Sequence, residues 1–204
     1  MGRQVMQKTH EDIVSIRRRQ LTAAAYKLVR KKGYYNFTIK DIAREARLST
    51  ALVHYYFKNK EDLLFTLLKQ MNENLKHVLD RELSMSQEPA EKLQIFIDQS
   101  LTLLERENSY FQVLIEFWTQ INRSEHIRRA NVKLYESLRE QVASILKEGV
   151  EKRVFAKIDV HRASTIIVSL LHGTITQYFL DDQAFDYAGF RKDVTKHIMG
   201  MVGK

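Results

Sequence analysis

Residues Thr38 to Phe57, TIKDIAREARLSTALVHYYF, carry two helix starts eleven residues apart, and their reading decides the fold. Thr38 precedes Ile39, Ile42, Ala43 and Ala46, an apolar stripe at helical spacing behind a hydroxyl able to cap the first turn. Ser49 stands in the same relation to Thr50–Phe57. Two such short helices joined by three or four residues predict a helix-turn-helix, whose second helix enters the major groove of DNA. Neither is stable alone, because isolated helices under about a dozen residues are marginal in water. The upstream segment supplies a partner. From Ile13 to Val29 the apolar residues again fall at helical spacing, with Leu21, Ala24, Ala25 and Leu28 on one face. Gly33 is placed to end that helix, after Arg30, Lys31 and Lys32 have set positive charge against the negative end of its dipole. Arg17, Arg18 and Arg19 lie on or beside its polar side, available to a DNA backbone or to water.

Downstream, a long helical pattern from Asn59 or Lys60 to about Leu83 carries Leu63, Leu64, Leu67, Leu68, Met71, Leu75 and Leu79. A polar break, Ser84–Glu88, is closed by Pro89, the chain's one proline, where a helix can begin without needing its N–H. Further helices are expected over Ala90–Glu105, Tyr110–Ile121, Glu125–Val154, Asp159–Leu180 and Tyr187–Val202. With one proline and seven glycines in 204 residues, breakers are too few for many short strands. The expected fold is all-α, about nine helices. Residues 1–60 form the helix-turn-helix domain and 61–204 a larger helical domain.

Charge divides the chain at the same place. Residues 1–60 hold 14 Lys and Arg against four Asp and Glu, a net +10, whereas residues 61–204 hold 19 against 21, a net −2. A basic module on a near-neutral body suits phosphate binding, because each neutralised phosphate releases condensed counterions. The absence of cysteine excludes disulfides, a thiol nucleophile and thiolate metal sites, in keeping with the cytoplasm. Met1–Lys8 has no apolar core for a secretory signal, and Met6 stands where a myristoylation motif needs Ser or Thr. Ala163–Leu180 is the longest run free of Asp, Glu, Lys and Arg. Its Ser164, Thr165, Ser169, His172, Thr174, Thr176 and Gln177 make it too polar for hydrocarbon, so no membrane partner is expected. H-E-x-x-H, G-x-S-x-G, a glycine-rich phosphate loop and a spaced acidic cluster are all missing, and the seven histidines are scattered. An enzyme, a metal site and a cofactor are accordingly not expected.

From Arg18 to Leu64 the chain closely resembles the DNA-binding domain of the TetR family. The matching pieces run in order: Arg18-x-x-Leu21, Ala24-Ala25-x-x-Leu28, Gly33-Tyr34, Thr38-Ile39-x-x-Ile42-Ala43, Ser49, Tyr56-Phe57-x-x-Lys60 and Leu63-Leu64. Ala51–Phe57, with Leu114–Trp118 (LIEFW) and Leu170–Gly173 (LLHG), looks most like the branch containing the BetI-type repressors. Ile39, Ile42, Ala43, Val53 and Phe57 are expected to make the module's core. Thr38 and Lys60 are placed like the family's phosphate clamps, and Tyr56 resembles its backbone-contacting aromatic. Ser49 opens the recognition helix, and base reading is expected of Thr50, Ala51, Leu52, His54 and Tyr55. Two departures stand out. Arg47 occupies a turn position where many relatives have glycine, and His54-Tyr55 replaces the frequent order Tyr then His.

For the C-terminal region the resemblance implies a homodimer through the last two helices, reading a palindromic double-stranded DNA operator, and a pocket for a small-molecule effector. Effector binding would tilt the Lys60–Leu83 helix and release DNA. Phe96, Phe111, Phe117, Trp118, Tyr135 and His172 are candidate pocket residues, with Glu116 offering a negative charge for a cation such as a quaternary ammonium. The same aromatics also read as plain core, and Glu116 as solvated or paired with an arginine. A regulator of architectural or protein-partnered type, without a small effector, is the alternative.

Overall fold

The computed structural model describes residues 2–106 and 108–203, with side chains over 12–103 and 109–203. Among the described residues there are nine helices and no strands: α1 (Gly2–Lys32), α2 (Ile39–Ala46), α3 (Thr50–Tyr56), α4 (Lys60–Leu83), α5 (Pro89–Arg106), α6 (Asn108–Trp118), α7 (Glu125–Glu151), α8 (Val160–Leu180) and α9 (Tyr187–Val202). The all-α expectation and the order of elements agree with this architecture. The break expected near Asn108 falls beside Glu107, which lies outside the described residues, as do the side chains of the Met1–Lys8 stretch.

Helix ends differ from expectation where a local force was passed over. α1 begins at Gly2 instead of Ile13, because nothing between them breaks a helix even though no apolar stripe announces one. α7 stops at Glu151 instead of Val154. Arg153 takes a left-handed conformation (φ 58°), and the N–H groups of Val154 and Phe155 both turn back to the Gly149 carbonyl, at 2.8 and 3.0 Å. Phe155 lies directly over Gly149, where a Cβ would meet its ring at 2.0 Å, so that glycine is bare by necessity.

The chain clusters into two compact units. One comprises residues 1–72 with 112–130, the other 73–111 with 131–204, so α4, α6 and α7 each run from one unit into the other. In the first unit, α1, α2 and α3 pack together over Leu21, Ala25, Ile42, Val53 and Phe57, and Leu63, Leu64 and Leu68 of α4 are equally buried. This unit takes in more chain than residues 1–60, because the end of α6 and the start of α7 join it. The second unit has its own core in Leu93, Phe96, Ile97, Leu101, Val142, Leu146 and Ile167. α8 is long and apolar enough by composition to cross a membrane. It nevertheless turns Ala163, Ser164, Ile167, Val168, Leu171, Thr174 and Ile175 inward, packed on α5 and α9 as a core helix is.

Candidate nucleic-acid interface

The α2–α3 pair is set by reciprocal capping at one end and a forced turn at the other. Thr38 is extended (φ −116°, ψ 170°), and its hydroxyl oxygen accepts the Asp41 N–H at 3.3 Å. The Asp41 carboxylate accepts in return the Thr38 N–H at 2.9 Å and its hydroxyl at 2.8 Å, a complete capping box. These bonds hold the Asp41 carboxyl below the usual range, with smaller help from Lys32 and Arg44. At the far end Arg47 adopts the left-handed conformation, φ 55° and ψ 43°. Its N–H reaches the Arg44 carbonyl at 3.1 Å, and the Leu48 N–H reaches that of Ala43 at 2.9 Å, closing α2 and turning the chain toward α3.

Ser49 caps α3, its hydroxyl accepting the Leu52 N–H at 3.2 Å. Of the seven residues of α3 only Val53 is fully buried; Phe57, just beyond, is buried as well. These two hold the helix to the module. Ala51, His54 and Tyr55 are exposed, Tyr55 by 68%, and Thr50, Leu52 and Tyr56 are half-buried. At 100° per residue Ala51, His54 and Tyr55 lie about 100–160° round from Val53, whereas Thr50 lies only about 60° from it. Of the expected base-reading residues, Ala51, His54 and Tyr55 thus share one outward side, with Thr50 and Leu52 at its two margins. The core residues sort as expected except Ile39, which is only half-buried.

The cations behave less uniformly. Arg18 is half-buried and turned to the protein: it donates to the Tyr56 carbonyl at 2.8 Å and lies over the Phe57 ring at 4.4 Å, bracing the end of α3. Arg17 and Arg19 bond within α1, to Gln20 and Ser15. Lys60 is half-buried, with its ammonium on the carbonyls of Tyr35 (3.1 Å) and Phe37 (2.8 Å) and 4.0 Å from the Phe37 ring centre. Burial lowers its pKa. Lys40 in the first turn of α2 and Lys58 just after α3, passed over in the motif reading, stand exposed, as does Arg47 just before α3. The only signal for them in the sequence is the charge excess of residues 1–60.

The residues suggested for an effector fall into both units. Phe96, Phe111, Tyr135 and His172 belong to the second, Glu116, Phe117 and Trp118 to the first. Tyr135 and His172 meet edge to face, 5.2 Å between ring centres. Burial pushes the Tyr135 hydroxyl up to about 12 and the His172 imidazole down, so both are neutral at pH 7. Phe96 and Phe111 are buried, and Trp118 is half-buried. Glu116 and Phe117 serve the α1–α2 turn: Glu116 Oε2 accepts the Tyr34 N–H at 2.8 Å, and the Phe117 ring meets Tyr34 edge-on at 5.6 Å.

Comparison with known proteins agrees with both regions. Residues 21–67 match the family of bacterial regulatory proteins of tetR type, and residues 89–203 match the BetI-type transcriptional repressor C-terminal family. The "Fatty acid metabolism regulator protein" of Bacillus subtilis (strain 168) is 25% identical over 183 residues, covering 86% of this chain and 90% of that one. The regulator BetI of Agrobacterium fabrum is 30% identical over 131 residues, 64% of each chain. Among solved structures, a transcriptional regulator from Saccharomonospora viridis in complex with choline superposes with a TM-score of 0.84 at 23% identity, covering 93% of this chain and 99% of its own. FadR of Bacillus subtilis in complex with stearoyl-CoA superposes at 0.72, also at 23% identity, over 88% of this chain and 96% of that one. With the tetR-type match lying over the capped α2–α3 pair and the BetI-type match over more than half of the chain, this protein belongs to the TetR family of DNA-binding transcriptional regulators.

Proposed function

We propose that this regulator is a homodimeric repressor that grips a palindromic operator through α3 and lets go when a small organic effector binds its C-terminal domain. The observation that carries the reading is the two-sidedness of α3: Val53 and Phe57 fasten it inward, and Ala51, His54 and Tyr55 face out, with Thr50 and Leu52 half-buried at the margins. Threonine and histidine can hydrogen-bond base edges, and Ala51 and Leu52 can touch thymine methyls. Ser49, Thr38, Tyr56 and Lys60 take the backbone side of the contact. Residues 1–60 do the gripping and 61–204 the sensing and pairing, in the cytoplasm where the operator is.

Pairing through α8 and α9 is supported by the apolar groups those helices leave outside, Ile166 at 46% exposure, Leu180 at 73% and Phe190 at 39%. A two-fold axis there would set the recognition helices about 34–36 Å apart, one turn of the duplex. Effector reception is supported by the neutral Tyr135–His172 pair and the buried Phe96 and Phe111, an interior suited to an apolar or aromatic-bound ligand. Two chemistries are worth trying first, choline and stearoyl-CoA, the molecules held by the two structural relatives.

The test is enrichment of a random-sequence duplex library on the purified protein, followed by thermal shift with each molecule. A single palindrome with half-sites one turn apart, released by a molecule that also raises Tm, is the expected result. Retention of all duplexes alike, falling steeply with salt, would contradict it and indicate an architectural protein.

A further inference from the structure

The five residues Gly33–Phe37 that join α1 to α2 are held from two directions by helices remote in sequence. Lys60, first residue of α4, clamps the carbonyls of Tyr35 and Phe37. The end of α6 and the residues after it hold the other side. Glu116 accepts the Tyr34 N–H, and its Oε2 would lie 3.2 Å from a Cβ at Gly33, whose φ is +76°. Phe117 packs on Tyr34, the Tyr35 hydroxyl donates to Gln120 Oε1, and Arg123 donates to the same hydroxyl at 2.9 Å while lying over its ring. Tyr35 is 55% exposed, so these bonds to its hydroxyl are not by-products of core packing.

Thr38, the cap that starts α2, follows this turn directly, and the direction of α2 sets that of α3. α6 runs from Asn108 to Trp118, and its last turn, which carries Glu116, belongs to the same compact unit as α1–α3. We infer that Glu116 is a positioning residue of the DNA-binding module: its carboxylate, seconded by the Gln120–Tyr35–Arg123 cluster, holds the α1–α2 turn to the end of α6 and thereby fixes the orientation in which α3 meets its operator. This rests on α3 being the operator-reading helix. It assigns Glu116 to the turn and not to a ligand.

A misoriented pair of recognition helices loses the spacing that a palindrome demands, whereas non-specific binding needs only positive charge near phosphates. The measurement is therefore the ratio of affinity for the selected palindrome to affinity for a scrambled duplex, for the full-length parent, Glu116→Ala, Glu116→Gln and Tyr35→Phe. For Glu116→Ala the ratio is expected to fall about tenfold, within the usual span of allosteric couplings, with scrambled-duplex binding and its salt slope unchanged. Glu116→Gln, whose amide oxygen still accepts the Tyr34 N–H, restores the ratio to within about twofold. Tyr35→Phe, on the surface and harmless to folding, moves the ratio the same way by a smaller factor, and decides the matter if Glu116→Ala melts below the working temperature. A parental ratio in a folded Glu116→Ala protein, or in Tyr35→Phe where that variant decides, overturns the inference, and so does a Glu116→Gln protein as impaired as the alanine variant. If the parent itself selects no palindrome, the operator-reading assignment of α3 has failed instead.

Discussion

Arg47 pays a steric penalty in the left-handed region that glycine would not, since its Cβ crowds the following carbonyl by about 1–2 kcal/mol. Glycine there would loosen the unfolded chain, offsetting about 0.4–1 kcal/mol of that gain. The steric term wins narrowly. Arg47→Gly is expected to raise stability by about 0.5–1 kcal/mol, seen as a higher urea midpoint at unchanged m-value; a lower midpoint would show that the side chain is held favourably in the turn. What was legible at this scale is what depends on near neighbours. The caps at Thr38 and Ser49 and the left-handed Gly33 follow from residues within one turn of themselves. Arg18 bonding Tyr56, 38 positions on, and Glu116 bonding Tyr34, 82 positions back, are tertiary facts without local pattern. Arginine on a polar helix side and glutamate in an apolar run therefore left their partners open, DNA backbone or water for the one, ligand, solvent or an arginine for the other.

Elements were legible wherever an apolar stripe met a cap, and their ends were misjudged where no stripe existed or a bare glycine was the signal, as at α1 and at Gly149. The start of α7 shows how charge supplements such signals. Glu125, its first residue, accepts Arg128 at 2.8 and 3.0 Å and Arg129 at 2.8 Å. These bonds hold its carboxyl down to about 2 from an ordinary 4.5. Because the folded value is the lower one, the stabilisation is complete above pH 4.5 and is lost as pH falls toward 2. The site is exposed and the effect correspondingly small. Glu125→Gln is expected to lose that small increment near pH 7 and, with no carboxyl to titrate there, to show an acid limb flatter by the same amount, so that the two profiles converge toward pH 2. Parallel acid limbs for the two proteins would show that the arginines are not bound to Glu125 in solution.

Across the whole molecule the division of charge is the plainest legible fact, and the one that motifs alone would underuse. With +10 gathered in residues 1–60, operator affinity should fall linearly with salt on logarithmic axes. Lys40, exposed in the first turn of α2, and Lys58, exposed just after α3, are expected to account for roughly one unit of that slope each, so Lys40→Ala and Lys58→Ala flatten it additively while leaving the preferred palindrome unchanged. A slope identical to the parent's would place phosphate contacts elsewhere. The least legible feature was the extent of the first compact unit, because residues 112–130 join it from far along the chain through Glu116, Gln120 and Arg123.

Everything proposed for function depends on the outward face of α3. The most direct measurement is operator binding by a Thr50/His54/Tyr55 triple alanine variant beside the parent, at equal salt and with melting curves for both. The account predicts an unchanged Tm, unchanged affinity for scrambled duplex and loss of preference for the selected palindrome. A variant that keeps the parent's preference would contradict it, and base reading would then have to be sought on another surface of the protein.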